Sequence, residues 1–417
     1  MKRHLIGIGG VGMSALATAL VRLGDEVTGA DRTLGTPNIK FLESLGVKVF
    51  PDDGSGVDKS TDEVIVSTAI EDSNAGLIKA KELGIPVTHR AKALSRTLKN
   101  YKLVAIVGTC GKSTVTAMLG HVLAECGLDP MCVNGANVPG WEGAVRFGKG
   151  EYAVAEVDES DKSLVAFKPY AAIVTNASAD HYSKEEMDEV FDAFVKDCEG
   201  PVIDGRGHLE SLESLETLEV PVPGAHNRQN AEMAVRMAVA LGVSPDRAIA
   251  AMKTFRGVER RLQLITSQTF QTSKPPKPVV YDDYAHNPEK LKAMWTTLAE
   301  KHPEGICVIW RPHGYAPLRK MMDALAAMFA ETIRPQDKLL LLPVYDAGGT
   351  TDRSVSSSDL LEKVKVRGEG EQRIELVSDL DAAYAWCEAH KGDYAAFVTC
   401  GARDPGLPVL ARRLSEM

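Results

Sequence analysis

Leu103-Val104-Ala105-Ile106-Val107-Gly108-Thr109-Cys110-Gly111-Lys112-Ser113-Thr114 opens as an unbroken apolar run and ends in a cluster of glycine, lysine and hydroxyls. A short apolar run of this kind reads as a strand buried on both faces, and the residues after Thr114 read as a helix. Strand, loop and helix in that order make a phosphate loop. Its backbone N–H groups cradle oxygens, Lys112 neutralises them, and Ser113 can ligate Mg²⁺. Ile106 stands where the strict motif has its first glycine, so a lysine-bearing surface turn is the plain alternative.

Working towards the N-terminus, Gly7-Ile8-Gly9-Gly10-Val11-Gly12 satisfies G-x-G-x-x-G between a strand (Leu5–Ile8) and a helix (Ser14–Leu23). Asp31 follows a second strand, near where a ribose-binding acid sits in dinucleotide folds. The loop suits any diphosphate at a helix N-terminus and by itself does not exclude an NAD-dependent oxidoreductase. Further short strands at Glu26–Gly29, Val47–Phe50, Val64–Ser67 and Pro86–Thr88 alternate with helical runs, as in a doubly wound parallel sheet.

Working towards the C-terminus, Glu156-Val157-Asp158-Glu159-Ser160-Asp161 closes the strand Tyr152–Val157 with carboxylates suited to Mg²⁺, or with a charged exposed turn. Asn176-Ala177-Ser178-Ala179-Asp180-His181 closes the strand Ala171–Thr175. The segment Gly224–Ala231 opens a helix in which Asn227 is either a cap or a reader of a purine edge. Arg260-Arg261 suits a phosphoryl group or solvent. The polar, proline-bearing stretch Ser267–Pro278 is a hairpin loop or a linker. Asp282-Asp283-Tyr284-Ala285-His286-Asn287-Pro288 follows a strand at the head of a third α/β segment, with strands at Val279–Asp282, Gly305–Trp310, Lys338–Pro343 and Tyr394–Thr399. We therefore expect an α/β protein of three domains, 1–97, 98–265 and 266–417, the central one carrying the phosphate loop.

The 417 residues need more than one core. At 44% hydrophobic and 25% charged the chain is not disordered. A net charge of −9 without a dense basic run argues against nucleic acid or an anionic membrane as partner. The seven cysteines form no CxxC pair, which argues against a disulfide framework and fits a reducing cytoplasm. Met1-Lys2-Arg3 before an uncharged run imitates a signal peptide, but Gly7, Gly9, Gly10 and Gly12 crowd the place of its apolar helix. No apolar stretch reaches the roughly 18 residues of a spanning helix.

Taken in order, GIGGVGMS, GTCGKST, EVDESD, NASADH, GAHNRQN, GVERRL, DDYAHNP and RPHGY resemble the Mur ligases, ATP-dependent amide ligases of peptidoglycan precursor synthesis. The likeness spans nearly the whole chain and is greatest to the branch that joins L-alanine to UDP-N-acetylmuramate. It implies a Rossmann-like first domain for the UDP-sugar, a central phosphate-loop ATPase with a mostly parallel sheet and a Rossmann-like last domain. It also implies that the sugar carboxylate is phosphorylated by ATP before the acyl phosphate is attacked by an amino acid's amine. It also implies residue roles. Gly108, Thr109, Gly111, Lys112, Ser113 and Thr114 would hold the ATP phosphates, Asn227 and Asn230 adenine, Asp283 the ribose and Arg261 the γ-phosphate. Ser113, Glu156 and His181 would hold Mg²⁺. Gly9, Gly10, Val11, Gly12, Met13, Ser14, Asp31, Ser67 and Ser160 would face the UDP-sugar, and His286, His313, Arg319 and Tyr345 the acceptor.

Several positions depart from the alanine-adding pattern. Cys110 replaces a histidine, Ser113 a threonine, Tyr182-Ser183 the usual Leu-Asp, and Asn287 a second histidine. Phe194, by contrast, agrees with the alanine-adding branch, standing about where other branches carry a carbamylated lysine. The His-Arg-Tyr-x-Arg run reads His313-Gly314-Tyr315-Ala316-Pro317, and the two lost arginines would grip the acceptor's carboxylate. A different small acceptor such as Gly or L-Ser, or a paralogue that binds its nucleotides without making the amide, are the alternatives these changes raise.

Overall fold

A computed structural model describes the chain except residues 159–162, 178–183, 208, 210–214, 267–277, 347–351 and 368–370. Three sheets follow one another along it. The first has strands β1 (Lys2–Ile6), β2 (Glu26–Asp31), β3 (Lys48–Pro51), β4 (Glu63–Val66) and β5 (Val87–His89), all parallel, in the order β3-β2-β1-β4-β5. Helices α1 (Val11–Arg22), α2 (Pro37–Ser44) and α3 (Ala75–Glu82) lie in crossovers between these strands, and α4 (Arg90–Thr97) follows β5. β1 ends two residues earlier than its apolar run suggests. Gly7 turns the chain with φ +76°, and Ile8 is apolar because it is fully buried beneath that turn.

The second sheet holds β6 (Lys102–Val107), β7 (Met131–Val133), β8 (Val145–Arg146), β9 (Tyr152–Glu156), β10 (Ala171–Val174) and β11 (Val202–Asp204), in the order β11-β10-β6-β9-β7-β8. Only the short β8 pairs antiparallel within it. The helices are α5 (Lys112–Glu125), α6 (Lys184–Val195), α7 (Ala225–Ala240) and α8 (Pro245–Met252).

The third sheet has the order β12-β13-β17-β14-β15-β16. Its strands are β12 (Gln263–Leu264), β13 (Val279–Asp283), β14 (Ile306–Trp310), β15 (Lys338–Leu341), β16 (Ile374–Leu376) and β17 (Ala396–Cys400). Its helices are α9 (Pro288–Lys301), α10 (Tyr315–Thr332), α11 (Ser357–Val366), α12 (Leu380–Ala389) and α13 (Gly406–Ser415). β12 pairs antiparallel with β13, so the proline-bearing stretch joins a hairpin rather than two domains, although 267–277 lie outside the described residues.

The described residues divide into two compact units, Met1–Val222 with His226–Val258, and Glu259–Met417 with Pro223–Ala225. The chain passes from the first sheet to the second near residue 98, yet both sheets lie in one unit. Leu16, Ala19, Leu20, Ala91 and Leu94 share a single apolar core with Leu103, Ala105, Val107, Met131, Val133, Val157 and Phe167. Arg22 clamps Glu142 across this seam with Nε and Nη2 at 2.7 and 2.5 Å. Phe194 packs against the same core.

Candidate active site

In an open parallel sheet, ligands bind beyond the carboxyl ends of the strands, where neighbouring strands run their connections to opposite faces. β1, between β2 and β4, is such a strand in the first sheet. The Gly9 N–H donates to Asp31 Oδ2 at 2.8 Å, and the Thr33 N–H donates to Oδ1 at 3.0 Å. Asn38 Nδ2 donates to the Gly9 carbonyl at 2.9 Å. Asp31 thus braces the glycine loop from the end of the adjacent strand. Gly10, Val11 and Gly12 open α1. Met13 and Ser14 are buried, and the Ser14 hydroxyl donates to the Val11 carbonyl at 2.9 Å. Ser67 follows β4 on the other side. Arg90, which the sequence reading passed over, lies against the same helix start. A Cβ on Gly12 would stand 2.7 Å from its Nη1. Its signal was there: an arginine directly after the strand β5, at the same edge.

In the second sheet β6 is flanked by β10 and β9, so Asn176, the phosphate loop and Glu156 come from three adjacent strand ends. Gly111, with φ +85°, takes the left-handed turn that starts α5, and a Cβ there would meet Asn230 Oδ1 at 2.7 Å. Ser113 and Thr114 are buried in the first turn. Lys112 folds back so that Nζ donates to the Gly108 carbonyl at 2.6 Å. Asn176 clamps the loop from the side. Its Oδ1 accepts from the Cys110 N–H at 2.9 Å and from Thr109 Oγ1 at 2.6 Å, while Nδ2 donates to the Cys110 carbonyl at 3.0 Å. The Thr175 hydroxyl reaches that carbonyl at 2.6 Å. Neither residue had a role assigned from sequence. A side-chain amide one strand away from a glycine loop is a signal only once the strand order is known.

Glu156 Oε2 accepts from the Gly135 N–H at 2.8 Å, and a Cβ on Gly135 would run into this carboxylate. Asn227 lies inside the first turn of α7 rather than capping it, and it and Asn230 are buried with Asn230 Nδ2 3.4 Å from Asn227 Oδ1. His181 and Ser160 lie outside the described residues. Among the described residues no cluster of three or more His, Cys, Asp or Glu could hold a metal.

In the third sheet β17 lies between β13 and β14. Asp283 is buried, with Oδ2 accepting from Leu262 N–H and Oδ1 from Ala285 N–H, both at 2.7 Å. Burial raises its pKa and that of Asp282, which the Arg260 guanidinium partly offsets through an ion pair at 3.0 Å. Arg261 stacks on Tyr284, 5.2 Å from the ring centre. His286 Nδ1 donates to the Tyr284 carbonyl at 2.9 Å, which leaves Nε2 as an acceptor. Its ring meets that of His313 edge to face, with centroids 4.8 Å apart. Burial lowers both pKa values to about 4, helped by Lys290 at His286 and by Arg403 at His313. Asn287 caps α9, its Oδ1 accepting from the Lys290 N–H at 2.9 Å with Pro288 as the first helical residue. The Tyr345 N–H donates to the Pro312 carbonyl at 2.8 Å. Arg319 is turned outwards to Asp352, at 2.7 Å.

A model of the Mur ligase family, catalytic domain, matches residues 2–102, and one of the Mur ligase, glutamate ligase domain, matches residues 260–403. The UDP-N-acetylmuramate–L-alanine ligase of Gloeobacter violaceus is 30% identical over 456 residues, covering 98% of this chain and 95% of its own. That of Desulforamulus reducens is 31% identical over 454 residues, covering 97% and 95%. Among solved structures, the UDP-N-acetylmuramate-alanine ligase of Thermotoga maritima superposes with a TM-score of 0.80 at 25% identity, over 100% of this chain and 98% of that one. A murein peptide ligase of Psychrobacter arcticus shares the fold, with a TM-score of 0.67 at 20% identity over 99% and 98% of the two chains.

Proposed function

The chain belongs to the Mur ligase family, and from that membership we propose that it joins L-alanine to the carboxylate of UDP-N-acetylmuramate in three steps. ATP transfers its γ-phosphoryl group to the sugar carboxylate and ADP leaves. The amine of L-alanine attacks the acyl carbon of the mixed anhydride. The tetrahedral species expels inorganic phosphate, and the nitrogen gives up its proton. Chemistry of this kind needs positioned charge and orientation more than a protein nucleophile.

The observation that carries this reading is the phosphate loop after β6, flanked by Glu156 and clamped by Asn176. Lys112 neutralises the phosphates, with Gly108, Thr109, Gly111 and Thr114 around them. Asn227 and Asn230 read adenine. Asp283 holds the ribose and Arg261 the γ-phosphate. Ser113 and Glu156 are hard oxygen donors that fit Mg²⁺, with His181 as a third ligand. The ion would screen the phosphate oxygens during transfer. Gly9 to Ser14, Asp31, Ser67 and Ser160 face the UDP-sugar. His286 presents neutral Nε2 to the amine, beside His313 and Tyr345.

Three domains, 1–97, 98–265 and 266–417, and a cytoplasmic site of action belong to the same proposal. Among the described residues no helix is long and apolar enough to cross a membrane. The test is ADP release with UDP-N-acetylmuramate, Mg²⁺ and a panel of amino acids. L-alanine should give the highest kcat/KM, and release independent of any amino acid would overturn the reading.

A further inference from the structure

We propose that Arg403 binds the α-carboxylate of the acceptor amino acid, an assignment that rests on the ligase reading above. An amino acid acceptor carries an anion that must be held away from the equally anionic acyl phosphate, and a guanidinium holds it best, through two parallel hydrogen bonds.

Most arginines at the carboxyl edge of the third sheet are already committed. Arg260 pairs with Asp282 at 3.0 Å and donates to the Gly401 and Ala402 carbonyls. Arg311 pairs with Asp404 at 2.5 Å and donates to the Pro343 carbonyl at 3.1 Å. Arg319 pairs with Asp352 at 2.7 Å, and Arg353 with Asp346 at 2.7 Å. Arg261 lies on Tyr284 and is allotted to the γ-phosphate.

Arg403 is different. It is exposed in the loop between β17 and α13, and it makes no hydrogen bond or ion pair among the described residues. The neighbouring Asp404 cannot neutralise it, since Oδ2 is taken by Arg311 and Oδ1 by the Gly406 N–H at 2.7 Å.

Its place in the sheet is what gives this charge a use. β17 runs between β13 and β14, so its loop emerges between the one bearing His286 and the one bearing His313. A Cβ on Gly314 would stand 4.0 Å from Arg403 Nη1. The guanidinium therefore borders the space that a side chain at 314 would enter, reached from the neighbouring strand. A carboxylate on Arg403 leaves the α-amine of the same molecule to reach the His286–His313 pair, whose rings both remain neutral.

Steady-state ADP release by full-length Arg403→Ala and Arg403→Lys tests this, at saturating ATP and UDP-N-acetylmuramate. Removing one charge-assisted contact should raise the KM for L-alanine roughly 10- to 100-fold. The KM values for the two nucleotides should stay within about twofold, and Lys should fall between Ala and the unmodified protein, because an ammonium lacks the fork. L-alaninamide lacks the carboxylate, so the preference for L-alanine over it should collapse in Arg403→Ala. Adding Gly314→Arg to Arg403→Ala should recover part of that preference. An unchanged KM and an unchanged alanine-to-alaninamide ratio in Arg403→Ala, in an enzyme whose ADP release depends on an amino acid, would overturn the assignment alone. An unmodified protein with no amino-acid-dependent ADP release would overturn the assignment together with the ligase reading.

Discussion

Lys112 holds its ammonium 2.6 Å from the carbonyl of Gly108. In the proposed role an ATP phosphate would take the place of that carbonyl. Removing a preorganised cation from the place where charge develops costs roughly 10²- to 10³-fold in rate. Lys112→Ala should therefore lose ADP release to that extent with an unchanged thermal midpoint, and near-normal release would take the loop out of the mechanism. Asn176 acts differently, because its amide is bonded to the loop itself. Asn176→Ala removes the hydrogen bonds to Thr109 and both polar groups of Cys110, each contributing about 0.5–1.5 kcal/mol. The expected result is a protein destabilised by about 1.5–4.5 kcal/mol with a raised KM for ATP, measured by urea unfolding and ATP titration. Asn176→Asp keeps the acceptor but loses the amide donor to the Cys110 carbonyl, and should fall between the two. A KM for ATP that matches the unmodified protein in Asn176→Ala would show that the loop holds its shape without the clamp.

At the scale of the element, the loops after β13 and β14 carry two histidines that fold with pKa values of about 4 against an ordinary 6.5. Besides burial, the groups that bear on them are the cations Lys290, Arg261 and Arg403, with the His313 ring lowering His286 and the Tyr284 carbonyl raising it. A histidine with a lowered folded-state pKa takes up its proton first in the unfolded chain. The stability of this unit is then whole above about pH 6.5 and falls as the pH drops towards 4. Urea midpoints at pH 7 and pH 5 should differ less in a His286→Gln, His313→Gln variant than in the unmodified protein. Equal pH dependence in the two would mean that the imidazoles titrate normally. The same imidazoles predict no loss of activity between pH 8 and 6 from their own protonation.

This scale also marks how far the sequence could be read. The glycine loops were legible because their glycines, lysine and hydroxyls are neighbours along the chain, directly after an apolar run. Asn176 and Arg403 were not, since their value comes from strand order: β10 beside β6, and β17 between β13 and β14. No local pattern in the residues around 403 says that the loop borders Gly314. Asn287 shows the converse. A family comparison reads it as a missing histidine, while its backbone context makes it the cap of α9.

For the molecule as a whole, helical periodicity tells which face of α1 is buried but not what covers it. The cover is partly the second sheet, through the core that Leu16 and Leu20 share with Leu103 and Val107. Leu16→Ala should cost about 2–5 kcal/mol, as large-to-small changes in a tight core do. Hydrogen exchange should then show the amides of β6 losing protection together with those of β1. Full protection of β6 with β1 weakened would show that the two sheets open independently.

Under the proposed function, the shared core also bears on how a nucleotide sugar and a nucleoside triphosphate find each other. Had the two glycine loops sat on freely jointed bodies, every turnover would begin with a search in which one ligand is carried to the other, and part of the binding free energy would go into ending that search. Here the apolar seam and the Arg22–Glu142 clamp hold both loops in one compact unit. The folded core itself then brings the two loops together. The translational and rotational entropy of aligning donor and acceptor is surrendered once per lifetime of the protein instead of once per catalytic cycle.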